Sequence, residues 1–199
     1  DWATRFPLML GVLAMLLVTY ELGRFAFSEL GGLYSALALG TSIGPYLFTR
    51  FLIPEVLVAL WLALGFFFFL KSLEQERPSH WVCWGFAATC ALNVLTKGLI
   101  GLVFPFGVVG IYLLATGRLR HILKLHLLSS TIVFFLIAAP WHILAALRTP
   151  TQGDVRGFLW FYFVNEHFLR YLNKRVPRDY DTVPFVLFWV LLVVWMIPW

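Results

Sequence analysis

Most of this sequence is made of apolar runs that approach the length needed to cross a membrane. A helix needs about 20 residues to span about 30 Å of hydrocarbon. Of the residues, 61% are hydrophobic and 13% are charged, whereas soluble domains have roughly 45–50% apolar and about 25% charged residues. We therefore expect an all-α integral membrane protein, a polytopic bundle forming one transmembrane domain over residues 1–199. Its seven expected spans are 6–22, 30–47, 54–70, 81–95, 99–115, 124–147 and 183–199.

The longest apolar run, residues 81–115, must turn within itself. As a single helix it would be roughly 50 Å long at 1.5 Å per residue, more than a bilayer accommodates. We expect a helical hairpin that turns at Thr96-Lys97-Gly98.

Alternating spans distribute the basic residues unequally between the two sides. One side receives the short loops with Arg24, Lys71, Arg77, Arg118, Arg120 and Lys124. The short connections of the other side carry Arg5, Arg50 and Lys97. The excess predicts that the first side is cytoplasmic, although the connection 148–182 adds six basic residues to the second side.

Two polar motifs at the ends of spans then lie on the extracytoplasmic side, Arg50-x4-Glu55 and Thr96-Lys97-Gly98. Charges at such depth are costly and usually functional. Lys97 is a candidate ligand for an anionic headgroup; it can also be a helix C-terminal cation capped by Gly98, or pair with Glu55. Arg50 can contact a phosphate or extend to the interface. Glu55 can orient a basic group, a sugar hydroxyl or a metal, or only complement the helix dipole.

A third motif, Glu166-His167-x2-Arg170, lies in the aromatic segment 157–172. This segment is too polar to span, and we expect a helix lying in the extracytoplasmic interface. At α-helical spacing His167 and Arg170 project together and can grip one phosphate, with Glu166 in support. The alternative is a solvated polar stripe. Asp179 and Asp181 are weaker candidates for substrate binding, because a plain polar loop also explains them.

These residues resemble the lipid-carrier-dependent glycosyltransferases of the GT-C fold, and in particular the bacterial relatives of protein O-mannosyltransferases and lipid A aminoarabinose transferases. The similar stretches are Trp2–Pro7, TRFLIPE at 49–55, LTKGLIGLVFP at 95–105, PWHILAALRTP at 140–150 and FLWFYFVNEHFLRYL at 158–172. The resemblance covers almost the whole chain, and its most specific parts are LTKG and NEHFLRY.

The resemblance implies a sugar donor linked to a polyprenyl phosphate, an inverting displacement, and an acceptor hydroxyl or phosphate on a protein, lipid or glycan. Lys97 and Arg170 would hold the donor phosphate, with His167 nearby. Arg50 stays a phosphate candidate from its own motif, apart from the resemblance. Glu55 would match a position that is usually aspartate, which makes it a weak catalytic candidate. The family's catalytic acid lies in an earlier loop, so we expect the general base upstream of residue 1 and this chain to be an interior piece that is inactive alone.

The implied partners are membrane lipids, the lipid-linked sugar and its acceptor, in the plasma (inner) membrane of a bacterium. No nucleic acid partner is indicated, because the basic residues are scattered over short loops. We expect no required cofactor. A divalent metal could bind, but the sequence shows no convincing set of ligands for one. The alternative functions are a transporter or lipid flippase, whose charged sites lie near the midplane, and an inactive membrane scaffold.

Overall fold

The computed structural model describes residues 2–51, 53–153, 156–178 and 184–199. These residues form helices and no β-strand, which confirms the all-α membrane fold. The α-helices are α1 (Trp2–Ala26), α2 (Glu29–Thr41), α3 (Ile43–Arg50), α4 (Glu55–Leu73), α5 (His80–Lys97), α6 (Ile100–Ala115), α7 (Leu127–Arg148) and α8 (Phe185–Met196). A 3₁₀-helix, Leu119–Lys124, precedes α7, and a π-helix, Trp160–Leu169, follows it.

Helix α5 is the centre of the bundle and packs against α4, α6 and α7. Its buried positions hold mainly small side chains: Cys83, Ala87, Thr89, Cys90, Ala91, Asn93 and Val94. Lipid provides no hydrophobic drive for the association of membrane helices, so their association depends on close packing. Small residues permit this close packing. The expected hairpin is confirmed: α5 ends at Lys97, and α6 begins three residues later at Ile100.

The expected span 30–47 is two helices rather than one, because the chain bends at Ser42 between α2 and α3. Helix α8 packs at this bend. The Ile43 N–H donates to the Ile197 carbonyl (3.0 Å), and the ring of Trp195 meets that of Phe48 edge-on, with centroids 5.0 Å apart.

The number of seven spans is not confirmed. Among the described residues, three helices are long and apolar enough to cross a membrane: Arg5–Ala26, Glu55–Leu73 and Leu127–Arg148. Helices α6 and α8 are apolar but shorter, and α5 carries the polar Thr89 and Asn93 within its buried face.

The hairpin of α1 and α2 depends on a glycine contact, which gives the first prediction. A Cβ at Gly32 would lie 2.5 Å from the Tyr20 carbonyl oxygen and 2.9 Å from the Arg24 amide nitrogen. Gly32→Val must push α2 away from α1, and we expect a loss of about 1–3 kcal/mol of stability, read as a lower thermal midpoint in detergent. The matched control is Gly107→Val, because a Cβ at Gly107 meets nothing within 4 Å. Equal midpoints for the two variants would contradict this packing.

Candidate functional site

An ion pair joins the first residue of α4 to the last residue of α5. The Lys97 ammonium donates to Glu55 Oε1, and the side chains are 40% and 37% exposed. The cation lies at a helix C-terminus and the carboxylate at a helix N-terminus, where each complements the dipole. The alternative that Lys97 pairs with Glu55 is thus what the structure shows. Glu55 Oε2 is buried and has no hydrogen-bond partner among the described residues.

A second contact between α4 and α5 holds this ion pair in place. The Trp61 indole N–H donates to the Thr96 hydroxyl oxygen (3.1 Å). The Thr96 hydroxyl in turn donates to the Leu92 carbonyl (2.7 Å). The two helices are therefore joined a second time, through Thr96, which precedes Lys97, and Trp61, six residues after Glu55.

His167 connects the π-helix to the turn between α5 and α6. The Leu99 backbone N–H donates to His167 Nε2 (2.9 Å), so this nitrogen carries no hydrogen. The other ring nitrogen, Nδ1, donates to the Tyr162 carbonyl. Both ring nitrogens are thus engaged with the backbone in the neutral imidazole, and a direct bond from His167 to a phosphate would require one of these bonds to break.

Gly98 makes the approach of His167 possible. Its backbone has φ 102° and ψ −160°, a conformation that is essentially restricted to glycine. A Cβ here would lie 2.6 Å from His167 Nε2. The glycine of the LTKG stretch is therefore needed both for its dihedral angles and for the space that it leaves.

The segment with Glu166, His167 and Arg170 is helical, as expected, but it is largely a π-helix. In a π-helix each N–H bonds the carbonyl five residues back, so a turn contains more residues than in an α-helix. The α-helical argument that placed His167 beside Arg170 does not transfer to this geometry. The two side chains have different partners: His167 bonds Leu99, while Arg170 Nη1 bonds Glu166 Oε2 (3.3 Å).

Glu166 is held by a second arginine that the sequence did not single out. Arg175 Nε donates to Glu166 Oε1 (2.6 Å), and both side chains are largely buried, at 13% and 18% exposure. Nothing in the sequence separates Arg175 from its neighbours Lys174 and Arg178, because the pairing arises only when the chain folds back after the π-helix.

Asn165 causes this fold-back and was also missed. Its side chain is fully buried, and its amide bonds both backbone groups of Val176. Nδ2 donates to the Val176 carbonyl (2.8 Å), and Oδ1 accepts from the Val176 N–H (3.0 Å). A buried asparagine with both ends satisfied is a positioning element, which a sequence reader could suspect only from its place among aromatic residues.

Aromatic rings connect the π-helix to α7. The Tyr162 ring stacks on Phe158 at 5.3 Å and meets His142 edge-on at 5.0 Å. Burial raises the pKa of the Tyr162 hydroxyl, whose oxygen has no hydrogen-bond partner among the described residues. This hydroxyl lies 3.4 Å from the position of a Cβ on Gly98, so it adds an unused donor to the polar end of the bundle.

The remaining candidates of the sequence analysis are Arg50, Asp179, Asp181 and a metal site. The Arg50 guanidinium lies over the Tyr46 ring at 4.8 Å from its centroid. Asp179 and Asp181 lie outside the described residues. Among the residues that are described, no three His, Cys, Asp or Glu side chains come together as a metal site.

A cavity of about 550 Å³ adjoins Glu55. Its walls are mainly apolar and come from α1, α2, α3, α4 and α8, with Glu55 as the charged residue in the lining. The lining residues are Val12, Met15, Leu16, Leu39, Gly40, Ser42, Gly44, Pro45, Tyr46, Phe48, Thr49, Glu55, Val56, Ala59, Leu192, Trp195 and Met196. An apolar chain can therefore lie beside the polar end of the bundle.

The Gly98 turn yields the second prediction. Gly98→Ala must strain the backbone by about 1–3 kcal/mol and also displace His167, so we expect a lower thermal midpoint and weaker binding of any ligand held by the π-helix. Gly117→Ala is the matched control: Gly117 also has positive φ (67°), but a Cβ there meets nothing within 4 Å. The prediction fails if both variants lose the same stability and neither loses ligand binding.

Comparison with known proteins agrees with this architecture. The family model for dolichyl-phosphate-mannose-protein mannosyltransferase matches residues 1–144. An undecaprenyl phosphate-alpha-4-amino-4-deoxy-L-arabinose arabinosyl transferase from Aeromonas salmonicida is 30% identical over 210 residues, covering 100% of this chain and 35% of that protein. A second transferase of the same name, from Proteus mirabilis, is 26% identical over 74% of this chain and 25% of its own length.

The fold is also that of a solved membrane protein. The crystal structure of ArnT from Cupriavidus metallidurans bound to undecaprenyl phosphate superposes with a TM-score of 0.86 at 24% identity. The apo structure of the same protein gives 0.82 at 23% identity. Both cover 100% of this chain and 35% of the solved chain, so the chain spans about a third of these proteins. Since the family model matches residues 1–144 of 199, the chain belongs to the dolichyl-phosphate-mannose-protein mannosyltransferase family and has its GT-C membrane fold.

Proposed function

We propose that this chain forms part of a glycosyltransferase that takes its sugar from a polyprenyl-phosphate donor and transfers it on the extracytoplasmic face of a bacterial plasma membrane. The observation that carries the proposal is the polar end of the bundle. There the partly exposed Lys97 pairs with Glu55, which lines a mainly apolar cavity. The π-helix that precedes Arg170 is bonded to the same end through His167 and Leu99. The names of the bacterial relatives, which specify undecaprenyl phosphate, support this donor class.

Lys97 and Arg170 are the proposed ligands of the donor phosphate. Each is positioned by a carboxylate, Glu55 for Lys97 and Glu166 for Arg170, yet remains 40% and 57% exposed. An ammonium has three N–H donors and a guanidinium has five. Each cation can therefore bind phosphate oxygens while it keeps its carboxylate partner.

His167 is proposed as a positioning residue. Because its ring holds the Leu99 N–H and the Tyr162 carbonyl, it fixes the distance between the π-helix and the end of α5. Its removal would let the two cations separate. Arg50, on the cation–π contact with Tyr46, is a further candidate for the rim of the cavity, because Tyr46 lines it.

The proposed reaction is a direct displacement with inversion. An acceptor hydroxyl or phosphate oxygen attacks C1 of the sugar, the bond from C1 to the lipid phosphate oxygen breaks, and the lipid phosphate leaves. Lys97 and Arg170 stabilise the charge that develops on it. A metal would add further charge stabilisation, but the described residues assemble no site for one.

The general base is proposed to be another carboxylate of the full-length protein. Glu55 and Glu166 each hold a phosphate-binding cation. If either accepted the acceptor's proton, it would release its cation at the moment when the leaving phosphate needs it. Glu55 Oε2 instead can accept a hydrogen bond from the bound sugar, because it has no partner among the described residues.

The placement of the charges favours transfer over transport. A transporter holds its charged sites near the midplane on broken helices. Here the proposed ligands lie at the ends of helices, Lys97 at the end of α5 and Arg170 directly after the π-helix.

The third prediction separates a phosphate ligand from a structural ion pair. Lys97→Gln removes the proposed ligand, whereas Glu55→Gln removes only its partner. A charge-assisted hydrogen bond contributes about 1.5–3 kcal/mol. We therefore expect Lys97→Gln to weaken undecaprenyl phosphate binding roughly tenfold to a hundredfold, and Glu55→Gln to change it little. Native mass spectrometry of the full-length protein, titrated with undecaprenyl phosphate, measures both.

The matched control is Lys71→Gln, because Lys71 also pairs with a glutamate, Glu74 (3.1 Å), at the opposite end of the bundle. Equal losses for Lys97→Gln and Glu55→Gln would reduce Lys97 to a structural role.

Transfer assays with undecaprenyl-phosphate-linked 4-amino-4-deoxy-L-arabinose and with the mannose analogue would identify the sugar. If the protein binds both sugar-linked lipids but transfers neither sugar, it is not a transferase for these two sugars.

A further inference from the structure

A second cavity, of about 360 Å³, lies between α6 and α7 toward the end of the bundle opposite Lys97. Both helices pack against α5 and leave a cleft between them. The cleft reaches the outer surface, where its lining residues Phe106, Leu127 and Phe135 are exposed. Its lining is almost entirely apolar: Phe69, Ser72, Cys83, Phe86, Ala87, Cys90, Leu102, Phe106, Val109, Gly110, Ile122, Leu125, Leu127, Ser130, Thr131, Phe134 and Phe135.

The 3₁₀-helix Leu119–Lys124 closes the end of this cleft, and other contacts fix its position. Ile122, together with the following Leu125, lines the cavity. Ile122 also packs against the buried cluster of Phe69, Val109 and Leu113. The His121 ring bonds Ser72 at the end of α4, with Nε2 3.0 Å from the hydroxyl oxygen.

The 3₁₀-helix and the residue before it carry three exposed cations, Arg118, Arg120 and Lys124. Within the described part of the chain, none of them forms an ion pair with a carboxylate. In contrast, Lys71 in the last turn of α4 is paired with Glu74. Burial, and then Lys124 and Arg118, lower the pKa of His121, which agrees with a concentration of positive charge at the mouth of the cleft.

From this arrangement we infer a binding site for an anionic glycerophospholipid. One acyl chain lies in the cleft between α6 and α7, and the headgroup phosphate lies against Arg118, Arg120 and Lys124. An apolar cavity is a poor site for water, whereas an acyl chain matches its lining. Basic pockets at the ends of transmembrane helices are suited to anionic headgroups.

A general preference for positive loops does not account for this arrangement. The positive-inside rule is satisfied by lysine or arginine anywhere in a cytoplasmic loop. Here the segment that supplies the cations also supplies the end wall of the cavity. The two chemical features of a phospholipid, a phosphate and an apolar chain, are thus matched by adjacent residues.

The test uses the full-length protein, delipidated and titrated with phosphatidylglycerol or with phosphatidylcholine under native mass spectrometry. The variant Arg118→Gln, Arg120→Gln, Lys124→Gln should weaken phosphatidylglycerol binding at least tenfold and leave phosphatidylcholine binding unchanged. Lys97→Gln should leave it unchanged too, so this test is independent of the proposed donor site. Equal binding of both lipids by the wild type would overturn the inference, as would full displacement of phosphatidylglycerol by inorganic phosphate.

A second pair of variants tests the cleft itself. A Cβ at Gly110 or at Gly107 meets nothing within 4 Å, but only Gly110 lines the cavity. Gly110→Leu should therefore fill the cleft and abolish phosphatidylglycerol binding, whereas Gly107→Leu should not. If Gly110→Leu instead lowers the thermal midpoint of the delipidated protein far more than Gly107→Leu, another protein segment fills the cleft and the lipid assignment is overturned.

Discussion

The hydrogen bond from the Leu99 N–H to His167 Nε2 organises the polar end of this protein. Where the chain turns from α5 into α6, the backbone donor of Leu99 has no helical partner. An unsatisfied backbone group costs several kcal/mol in a medium without water. His167 supplies the acceptor, and Gly98 provides the space for its ring. The cost of leaving Leu99 unpaired therefore holds the π-helix against the hairpin, and with it Glu166 and Arg170.

The charged residues near this end have a common arrangement, in which a carboxylate positions a cation. Glu55 holds Lys97, and Glu166 holds both Arg170 and Arg175. The contacts differ in exposure: Arg175 is 13% exposed, whereas Arg170 is 57% exposed. The buried arginine anchors Glu166, and the exposed one is the proposed ligand of the donor phosphate. Two arginines therefore contact a single carboxylate in two roles, Arg175 as its buried anchor and Arg170 as the exposed proposed ligand.

The two ends of the bundle have different chemistry. The Lys97 end combines paired cations with the cavity beside Glu55. The opposite end combines a basic 3₁₀-helix with a cleft between α6 and α7. Helix α5 supports both regions, because it ends at Lys97 and its residues Cys83, Ala87 and Cys90 line the cleft. Ligands at the two ends can therefore be tested independently.

The sequence by itself determined the helical membrane class, the hairpin at Thr96-Lys97-Gly98 and the motifs around Lys97 and Arg170. These follow from local properties: apolar length, a glycine at a helix end, and charges near the ends of apolar runs. Only the tertiary structure decided the partners. Residues 42 apart in sequence form the Lys97–Glu55 pair, and residues 68 apart form the Leu99–His167 bond. The π-helix, the bend at Ser42 and the role of Arg175 likewise depend on contacts that form only on folding. Local residue patterns do not predict such contacts, because the interacting groups are far apart in the sequence and meet only in the folded chain.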